Sequence, residues 1–236
     1  MLKKTDTDVF LATEGLATYS YYITATVAKK RNIPLALIAD WYGADFKGKG
    51  LKRLYTKFFK VPKLNIADKI FVYNETVKSA LISAGVKENK LQILSNGSDY
   101  NLFSKGDKKT GRKLLNLNPN DTVILSMGRI ITCKNFEFLI HFIDKVKDQH
   151  KNLKLIIVGP VIDMHYYLTL VEQVNKLGLN NIISFHHIDN YNDLPHVYAA
   201  ADIFAFASKS EGWPLVIPES MAVGLPIVST PVGVIP

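Results

Sequence analysis

Short apolar runs rich in β-branched residues alternate along the whole chain with longer stretches of helical pattern. The runs that predict strands lie at 8–12, 34–40, 69–74, 91–95, 122–127, 153–159, 181–185, 202–207 and 226–230. The stretches that predict helices lie at about 16–30, 49–64, 75–84, 134–149, 163–177, 192–200 and 218–223. Continuous apolar strands separated by helices are typical of parallel sheets covered on both faces. With right-handed crossovers, the chain is therefore predicted to form doubly wound α/β layers.

The polar segment SDYNLFSKGDKKTGRKLLNLNPND, residues 98–121, separates two series of strands and helices. A chain of 236 residues is long enough for two small domains. We therefore predict two Rossmann-like units, 1–104 and 105–236, that face each other across a cleft. Both are expected to be incomplete, because the first has few strands and the second stops soon after a strand.

Composition limits the class of protein. Hydrophobic residues make up 47% of the chain and charged residues 21%, which is an ordinary globular composition. No apolar run is long enough to predict a membrane-spanning helix, and the N-terminus lacks the pattern of a secretory signal. The single cysteine, Cys133, excludes an internal disulfide and fits a reducing compartment, so the expected location is cytoplasmic.

The excess positive charge lies in the first half of the chain. Residues 1–105 carry 17 Lys and Arg against 9 Asp and Glu, whereas residues 106–236 carry 12 of each. The segment 47–63 has seven basic residues and no acidic one. Its apolar side chains recur at helical spacing, at Leu51, Leu54, Tyr55 and Phe58. Two interpretations stay open: a basic helix lying on an anionic membrane surface, or a solvated helix whose apolar stripe packs on its own sheet.

Basic residues follow the strand predicted at 122–127. Gly128 ends that strand, Arg129 follows it, and Lys134 stands just before a helix. Arg presents a fork to phosphate oxygens, Lys presents a point charge, and free helix amides add further donors. The pattern indicates a diphosphate clamp, and two plain surface cations are the alternative. Cys133 has no partner motif and is interpreted as incidental.

The segment SEGWPLVIPES, residues 210–220, places Glu211 and Glu219 at the two ends of an apolar stretch. Pro214 and Pro218 exclude a central strand, and Pro214 would break a helix that spanned both carboxylates. The segment therefore predicts a loop, with amides that point into the cleft, leading into a short helix. Glu219 then lies in the first turn, where the helix dipole favours it. In isolation, this spacing favours a dipole partner and a solvated loop residue over a ligand site.

The adjacent histidines His186 and His187 would point apart on a strand. No acidic or cysteine partner stands at ligand spacing from them, so no metal site is predicted there.

Together these features resemble the retaining glycosyltransferases of group 1, family 4, which have the two-Rossmann GT-B architecture. The matching segments are ILSNGSDYNLF (93–103), SMGRIITCKNFEFLI (126–140), LKLIIVGP (153–160) and LPHVYAAADIFAFASKSEGWPLVIPESMAVGLPIVSTPVG (194–233). The match as a whole covers nearly all of 66–236. The match is specific because the paired glutamates stand after YAAADIF and before MAVGLPIVST, and the Gly-Arg…Lys cluster precedes them.

The resemblance implies transfer of a hexose-type sugar from a nucleotide-sugar donor, a UDP- or GDP-sugar, with retention of configuration. It implies a glycan or lipid-linked acceptor, no obligatory metal or other cofactor, and no nucleic-acid partner. Residues 1–104 would form the acceptor side, and residues 105–236 would bind the nucleotide sugar. The first interpretation of 47–63, which comes from its charge pattern and not from the resemblance, would add contact with an anionic membrane at its inner face.

The resemblance also implies roles for individual residues. Gly128, Arg129 and Lys134 match the diphosphate binders, Glu211 matches the catalytic carboxylate near the donor sugar, and Glu219 matches the residue that holds the ribose hydroxyls. Main-chain groups near Ile188 would bind the edge of the nucleobase. Backbone groups that would line the sugar and phosphates are those of Gly212, Trp213, Pro214, Leu215 and Val216.

The chain departs from the family pattern on the acceptor side. The glycine-rich loop after the first strand is absent, and LIADWYGADF has Asp40 and Trp41 where members often carry a histidine. The acceptor-side residues therefore stay unassigned. We expect a chain truncated at both ends, with a nearly intact donor half and doubtful activity on its own.

Three alternatives remain open at this point. A retaining glycosidase also uses two carboxylates, about 5 Å apart. A sugar-nucleotide epimerase shares the GT-B architecture. A non-catalytic fragment, or a basic module that binds anionic lipid or nucleic acid, would depend on 47–63, although no nucleic-acid motif is present.

Overall fold

The computed structural model describes residues 7–14, 19–39, 58, 61–233 and 235. They fall into two compact units, Met1–Asn96 and Gly97–Pro236. Each unit holds a wholly parallel sheet, so the predicted fold class of two parallel α/β units is confirmed. Most of the basic segment 47–63, together with Asp40 and Trp41, lies outside the described residues.

The first unit has a four-stranded sheet in the order β1-β2-β3-β4. Its strands are β1 (Phe10–Glu14), β2 (Leu35–Ala39), β3 (Lys69–Val72) and β4 (Leu91–Ile93). Its described helices are α1 (Tyr19–Arg31), α2 (Val61–Leu64) and α3 (Glu75–Ala84). The largest fully buried side chains of this unit include Leu37, Ile70 and Leu81, which join the sheet to its helices.

Helix α3 shows why the predicted boundaries hold. Asn74 caps its start, since its Oδ1 accepts a hydrogen bond of 2.8 Å from the Val77 amide. Gly85 ends it at φ 106°, and the Gly85 amide donates to the Ile82 carbonyl. The sequence predicted this helix at 75–84, and the structure confirms both ends.

The second unit has a five-stranded sheet in the order β7-β6-β5-β8-β9. Its strands are β5 (Thr122–Met127), β6 (Leu153–Val158), β7 (Ile183–His186), β8 (Ile203–Phe206) and β9 (Ile227–Ser229). Its α-helices are α4 (Tyr100–Phe103), α5 (Lys108–Leu114), α6 (Phe136–Val146), α7 (Met164–Lys176), α8 (Leu194–Ala199) and α9 (Val216–Val223).

Strand β5 is the point where the direction of winding reverses. The chain runs outward from β5 to β6 and β7, then returns to add β8 and β9 on the opposite side of β5. In open parallel sheets, ligands bind in the crevice beyond the carboxyl ends of the strands that flank such a reversal. The loops that follow β5 and β8 are therefore where a ligand site is expected.

Two apolar layers cover the sheet of the second unit, one on each face. Ile124 and Leu155 pack in one cluster, whereas Leu125 and Phe204 pack in the other. Successive residues of a strand point to opposite faces, so continuous apolar strands follow directly from this arrangement.

The boundary between the compact units lies earlier than the sequence placed it. The prediction put it at 104/105, whereas the units divide at Asn96 and Gly97. The reason is α4: Phe103 is fully buried in the second unit, 5.6 Å from the ring of Tyr198. Ser98 also donates to the Pro218 carbonyl at 3.1 Å.

The starts of α6 and α9 differ from those predicted in ways that bear on the candidate site. Asn135 takes a left-handed conformation, φ 59°, so Lys134 ends a 3₁₀ turn, Thr132–Lys134, and α6 starts only at Phe136. Helix α9 begins two residues earlier than predicted, at Val216, and ends at Gly224 with φ 84°. Within the described ranges, no helix has the length and apolarity needed to cross a membrane.

Candidate functional site

The loop after β5 begins where two glycine peptides touch. Gly159, at the end of β6, has φ 156°, and a Cβ built on it would lie 2.0 Å from the Gly128 carbonyl oxygen. Gly128 has φ 154°, and a Cβ there would lie 3.2 Å from Lys134 Cε. The side chain of Lys134 therefore passes directly over the Gly128 backbone.

Lys134 joins the loops after β5 and β8 through an ion pair. Its Nζ lies 2.5 Å from Oε1 of Glu211, and the two side chains are only 12% and 9% exposed. The same Nζ lies 5.6 Å from the ring centroid of Phe206, the last residue of β8. The pair sits at the carboxyl ends of β5 and β8, where the winding of the sheet reverses.

Hydrogen bonds around Ser208 fasten these two loops together. Ser208 Oγ lies 2.5 Å from Glu211 Oε1 and 3.0 Å from the Cys133 carbonyl. The Lys209 amide donates to the same carbonyl at 2.8 Å, and Asn135 Nδ2 donates to the Ala207 carbonyl at 3.0 Å. Glu211 is thus held in place by a cation, a hydroxyl and a braced backbone.

Glu219 occupies a different environment in the first turn of α9. It is 9% exposed, and Tyr198 Oη on α8 donates to its Oε2 at 2.5 Å. Burial raises the pKa of Glu219, and the hydrogen bond from Tyr198 offsets part of that effect. Burial and the neighbouring Glu219 carboxylate raise the pKa of Tyr198 well above its ordinary value, so the phenol remains the donor.

Among the described residues, the side chains that donate to each carboxylate engage one of its two oxygens. Oε1 of Glu211 is bound by Lys134 and Ser208, and Oε2 of Glu219 is bound by Tyr198. No side chain among the described residues donates to the remaining oxygen of either group. A ligand with hydroxyl groups would find two prepared acceptors at the ends of one nine-residue segment.

The other predicted site residues follow the same strand ends. Arg129 is exposed, and its side chain has no partner among the described residues. Ile188, in the loop after β7, is half-buried against the apolar cluster that contains Tyr198. The segment between the glutamates alternates in burial: Gly212 and Pro214 are buried, Trp213 and Val216 are half-buried, and Leu215 is exposed.

One part of the predicted clamp is wrong. The sequence argument added free amides of α6, but the Phe136 amide donates to Tyr166 Oη at 2.9 Å. That hydroxyl donates in turn to Glu137, which also pairs with Lys209 at 2.9 Å. Burial raises the pKa of Glu137, but the hydrogen bonds from Tyr166 and Lys209 outweigh it and leave the pKa below its ordinary value. The start of α6 therefore already carries its own carboxylate.

The two histidines have different partners, and only His186 lies on a strand. His187 lies 3.1 Å from the exposed Asp189, whereas His186 contacts Ser184 at 2.8 Å, and burial lowers the pKa of His186. In the part of the chain that the structure describes, no three His, Cys, Asp or Glu side chains lie together as a metal site would require.

Sequence reasoning missed Ser208 and Tyr198. The sequence placed Tyr198 only in the helix predicted at 192–200, and Ser208 only in the loop after the strand predicted at 202–207. A phenol within a run as apolar as YAAADIF was a usable signal, because a buried tyrosine hydroxyl needs an acceptor. No signal in the sequence marked Ser208, since its role depends on the loop conformation that brings Glu211 back to it.

The fold and these loops define a doubly wound α/β protein with a polar site at a topological switch point. Comparison with known proteins gives the family. The sequence profile described as "Glycosyl transferases group 1" matches residues 107–236, more than half of the chain. The chain therefore belongs to the group 1 glycosyltransferase family.

Individual relatives agree with this membership. The chain is 30% identical over 173 residues to the D-inositol 3-phosphate glycosyltransferase of Mycobacterium sp. (strain KMS), which covers 72% of the chain and 38% of that protein. Against the enzyme of the same name from Rhodococcus opacus (strain B4), identity is 28%, covering 63% of the chain and 34% of that protein. The chain thus spans less than half the length of these curated relatives.

Solved structures show the same fold. Anabaena HepE, described in complex with UDP and glucose, superposes with a TM-score of 0.79 at 22% identity, covering 96% of this chain and 60% of that one. The sucrose-phosphate synthase of Thermosynechococcus elongatus gives a TM-score of 0.77 at 19% identity, covering 96% and 56%. At these identities the likeness establishes the GT-B fold and no more.

Proposed function

We propose that the chain carries the donor site of a retaining glycosyltransferase that takes a hexose from a nucleotide-sugar and passes it to an acceptor. One observation carries the proposal. Two separately held carboxylates, Glu211 and Glu219, bracket one segment at the switch point of the family-matched unit, and one of them is paired with Lys134.

The geometry suits departure of a nucleoside diphosphate. As the bond from the sugar to the diphosphate breaks, the electron pair and negative charge go to the diphosphate. Lys134 and Arg129 would stabilise that charge, and fixed cations do so without reorganising during the reaction. Glu211, held by Ser208, would lie beside the donor sugar, and the free oxygen of Glu219 would accept hydrogen bonds from the ribose.

Donor and acceptor are proposed at the level of chemical class. The nucleotide is UDP or GDP, and UDP is the first to test because the Anabaena neighbour was solved with it. A glycan or a lipid-linked sugar is the proposed acceptor. The names of the curated relatives add a phosphorylated cyclic polyol, inositol 3-phosphate, to the acceptors to be tested. Contact with an anionic membrane through 47–63, and a cytoplasmic location, remain proposals of the same kind.

The test is a binding panel read by tryptophan fluorescence. Trp213 lies between Glu211 and Glu219 in the sequence, and Trp41 is the only other tryptophan. A Trp41→Phe background therefore leaves Trp213 as the sole fluorescent reporter. We expect UDP or GDP to bind, and a nucleoside without phosphate to bind much more weakly. Arg129→Ala and Glu219→Ala should each lower the affinity about tenfold, the equivalent of one lost charge-assisted contact.

Lys113→Ala is the matched control, since Lys113 is an exposed basic residue on α5 outside the proposed site. It should bind nucleotide as the parent does. Nucleotide binding that survives both Arg129→Ala and Glu219→Ala would overturn the site assignment. Release of free sugar isomers without an acceptor would instead favour the epimerase alternative.

A further inference from the structure

Tyr198 is the buried group in closest contact with Glu219. The phenol is fully buried on α8, with its ring 5.6 Å from Phe103 and 5.8 Å from Phe204. Its hydroxyl is the one described group that donates to the Glu219 carboxylate, at 2.5 Å. The aromatic contacts fix the ring, and the ring fixes the hydroxyl.

We propose that Tyr198 is a positioning residue: by holding Oε2 of Glu219, it sets the rotation of the carboxylate so that Oε1 faces the ribose hydroxyls of the donor. This inference rests on the proposed function. A carboxylate at the end of a glutamate side chain rotates easily, because its last torsion is broad. A single strong hydrogen bond from a rigid phenol selects one orientation, and preorganised acceptors bind hydroxyls more tightly than mobile ones.

Tyr198 is the described residue placed to orient the Glu219 carboxylate. No basic side chain among the described residues pairs with Glu219, in contrast to Glu211. Tyr191 lies near enough for burial and the charges of Glu219 and Asp99 to raise its pKa, and it supplies no cation. Ser98 donates instead to the carbonyl of Pro218, one residue earlier.

The experiment compares wild type with Tyr198→Phe in the full chain, using whichever of UDP and GDP the wild type binds. The change keeps the ring and its packing and removes only the hydroxyl. We expect affinity for the ribonucleotide to fall about tenfold and affinity for its 2′-deoxy analogue to fall less. Affinity for inorganic pyrophosphate should not change, because it lacks the ribose. Where transfer is measurable, the donor KM should rise while kcat stays within about twofold.

The pH dependence gives a second readout. Glu219 must be ionised to accept from two hydroxyls, so affinity fades as pH falls through its pKa. The Tyr198 hydrogen bond lowers that pKa, so Tyr198→Phe should shift the acid limb of binding to higher pH. A residue with only a packing role would lower stability without moving this limb.

A double-mutant cycle decides whether Tyr198 acts through Glu219. In a Glu219→Ala background, Tyr198→Phe should have no further effect on ribonucleotide affinity. Tyr166→Phe is the matched control, because it removes the other buried phenol that donates to a carboxylate; it should lower stability similarly and leave discrimination against the 2′-deoxy analogue intact.

The possible failures are distinguishable. A wild type that binds neither UDP nor GDP contradicts the proposed function itself. A wild type that binds one of them, with a Tyr198→Phe variant of equal ribose discrimination and an unmoved acid limb, contradicts the positioning role alone. Equal effects of Tyr198→Phe with and without Glu219 would contradict it as well.

Discussion

The two ends of the segment from Glu211 to Glu219 each hold a carboxylate, but they hold it in different ways. At the Glu211 end, the carboxylate is neutralised by Lys134 at 2.5 Å and held by Ser208. At the Glu219 end, the phenol of Tyr198 is the one described side chain that donates to the buried carboxylate. The first end has a compensated charge, and the second end has an oriented but uncompensated one.

The difference indicates what each end is prepared to meet. A cation shared between Glu211 and an incoming diphosphate loses little when the anion arrives, since Lys134 has three donor hydrogens. An uncompensated carboxylate suits neutral hydroxyl donors, because it needs hydrogen bonds and would repel a phosphate. In the proposed donor site, the diphosphate would therefore lie at the Glu211 end and the ribose at the Glu219 end.

The strongest test of the Glu211 end is Gly159→Ala. The added Cβ would lie 2.0 Å from the Gly128 carbonyl oxygen, at a φ of 156° that an L-residue rarely adopts. The backbone under Lys134 must shift, at a cost on the order of 4 kcal/mol. Chemical denaturation followed by circular dichroism would measure the loss.

Gly178→Ala separates steric overlap from backbone strain. Gly178 also has a positive φ, 65°, but a Cβ there meets nothing within 4 Å. Its cost should be only the roughly 1–2 kcal/mol of the left-handed conformation. Equal losses for the two variants would show that the contact between Gly159 and Gly128 is unimportant.

Removing the cation itself should have the next largest effect. Lys134→Met keeps much of the side-chain volume and leaves the Glu211 carboxylate, 9% exposed, without its counter-ion. Breaking a buried pair from one side costs roughly 3–5 kcal/mol, and the low end applies because Ser208 still donates. Urea denaturation measures stability, and titration with pyrophosphate should show lost binding.

Lys209→Met provides the comparison for that variant. Lys209 lies in the loop after β8 and pairs with Glu137, but it is 55% exposed. Exposed pairs contribute about 0–1 kcal/mol. A loss for Lys209→Met as large as that for Lys134→Met would contradict the view that burial makes the Glu211 pair important.

The sequence predicted the strands of this fold well because their signal is local. Thr122–Met127 is a continuous apolar run that both faces of the sheet bury, so its bounds are confirmed to the residue. The start of α6 was predicted two residues early, since the left-handed Asn135 that delays it leaves no apolar signature. The bounds of elements that burial defines can be predicted from the sequence, whereas bounds that a single backbone torsion sets cannot.

The candidate site was readable only in part, for a related reason. Glu211 and Glu219 stand out as charges in an apolar stretch, and Arg129 and Lys134 stand out after a strand. Ser208 has no such contrast, because its role arises from loop closure. Tyr198 stands out as a phenol in an apolar run, but its partner depends on the contact between α8 and α9. The roles of all these residues in binding a donor remain predictions.

The smallest effect, and the one that tests the Glu219 end, is a gain in stability for Glu219→Gln. Burial raises the pKa of Glu219 above its ordinary 4.5, so the folded protein holds this proton to higher pH than the unfolded chain. Stability is therefore lost as pH rises from the ordinary pKa through the raised one.

Glutamine at position 219 still accepts from Tyr198 and carries no charge. We expect Glu219→Gln to match wild type near pH 4 and to melt about 2 °C higher at pH 7, while binding the ribonucleotide less tightly. Thermal melts of both proteins across this range measure the difference. The contributions of the other titrating groups are the same in both proteins and cancel. A Glu219→Gln variant less stable than wild type at pH 7 would show that the carboxylate has a compensating partner after all.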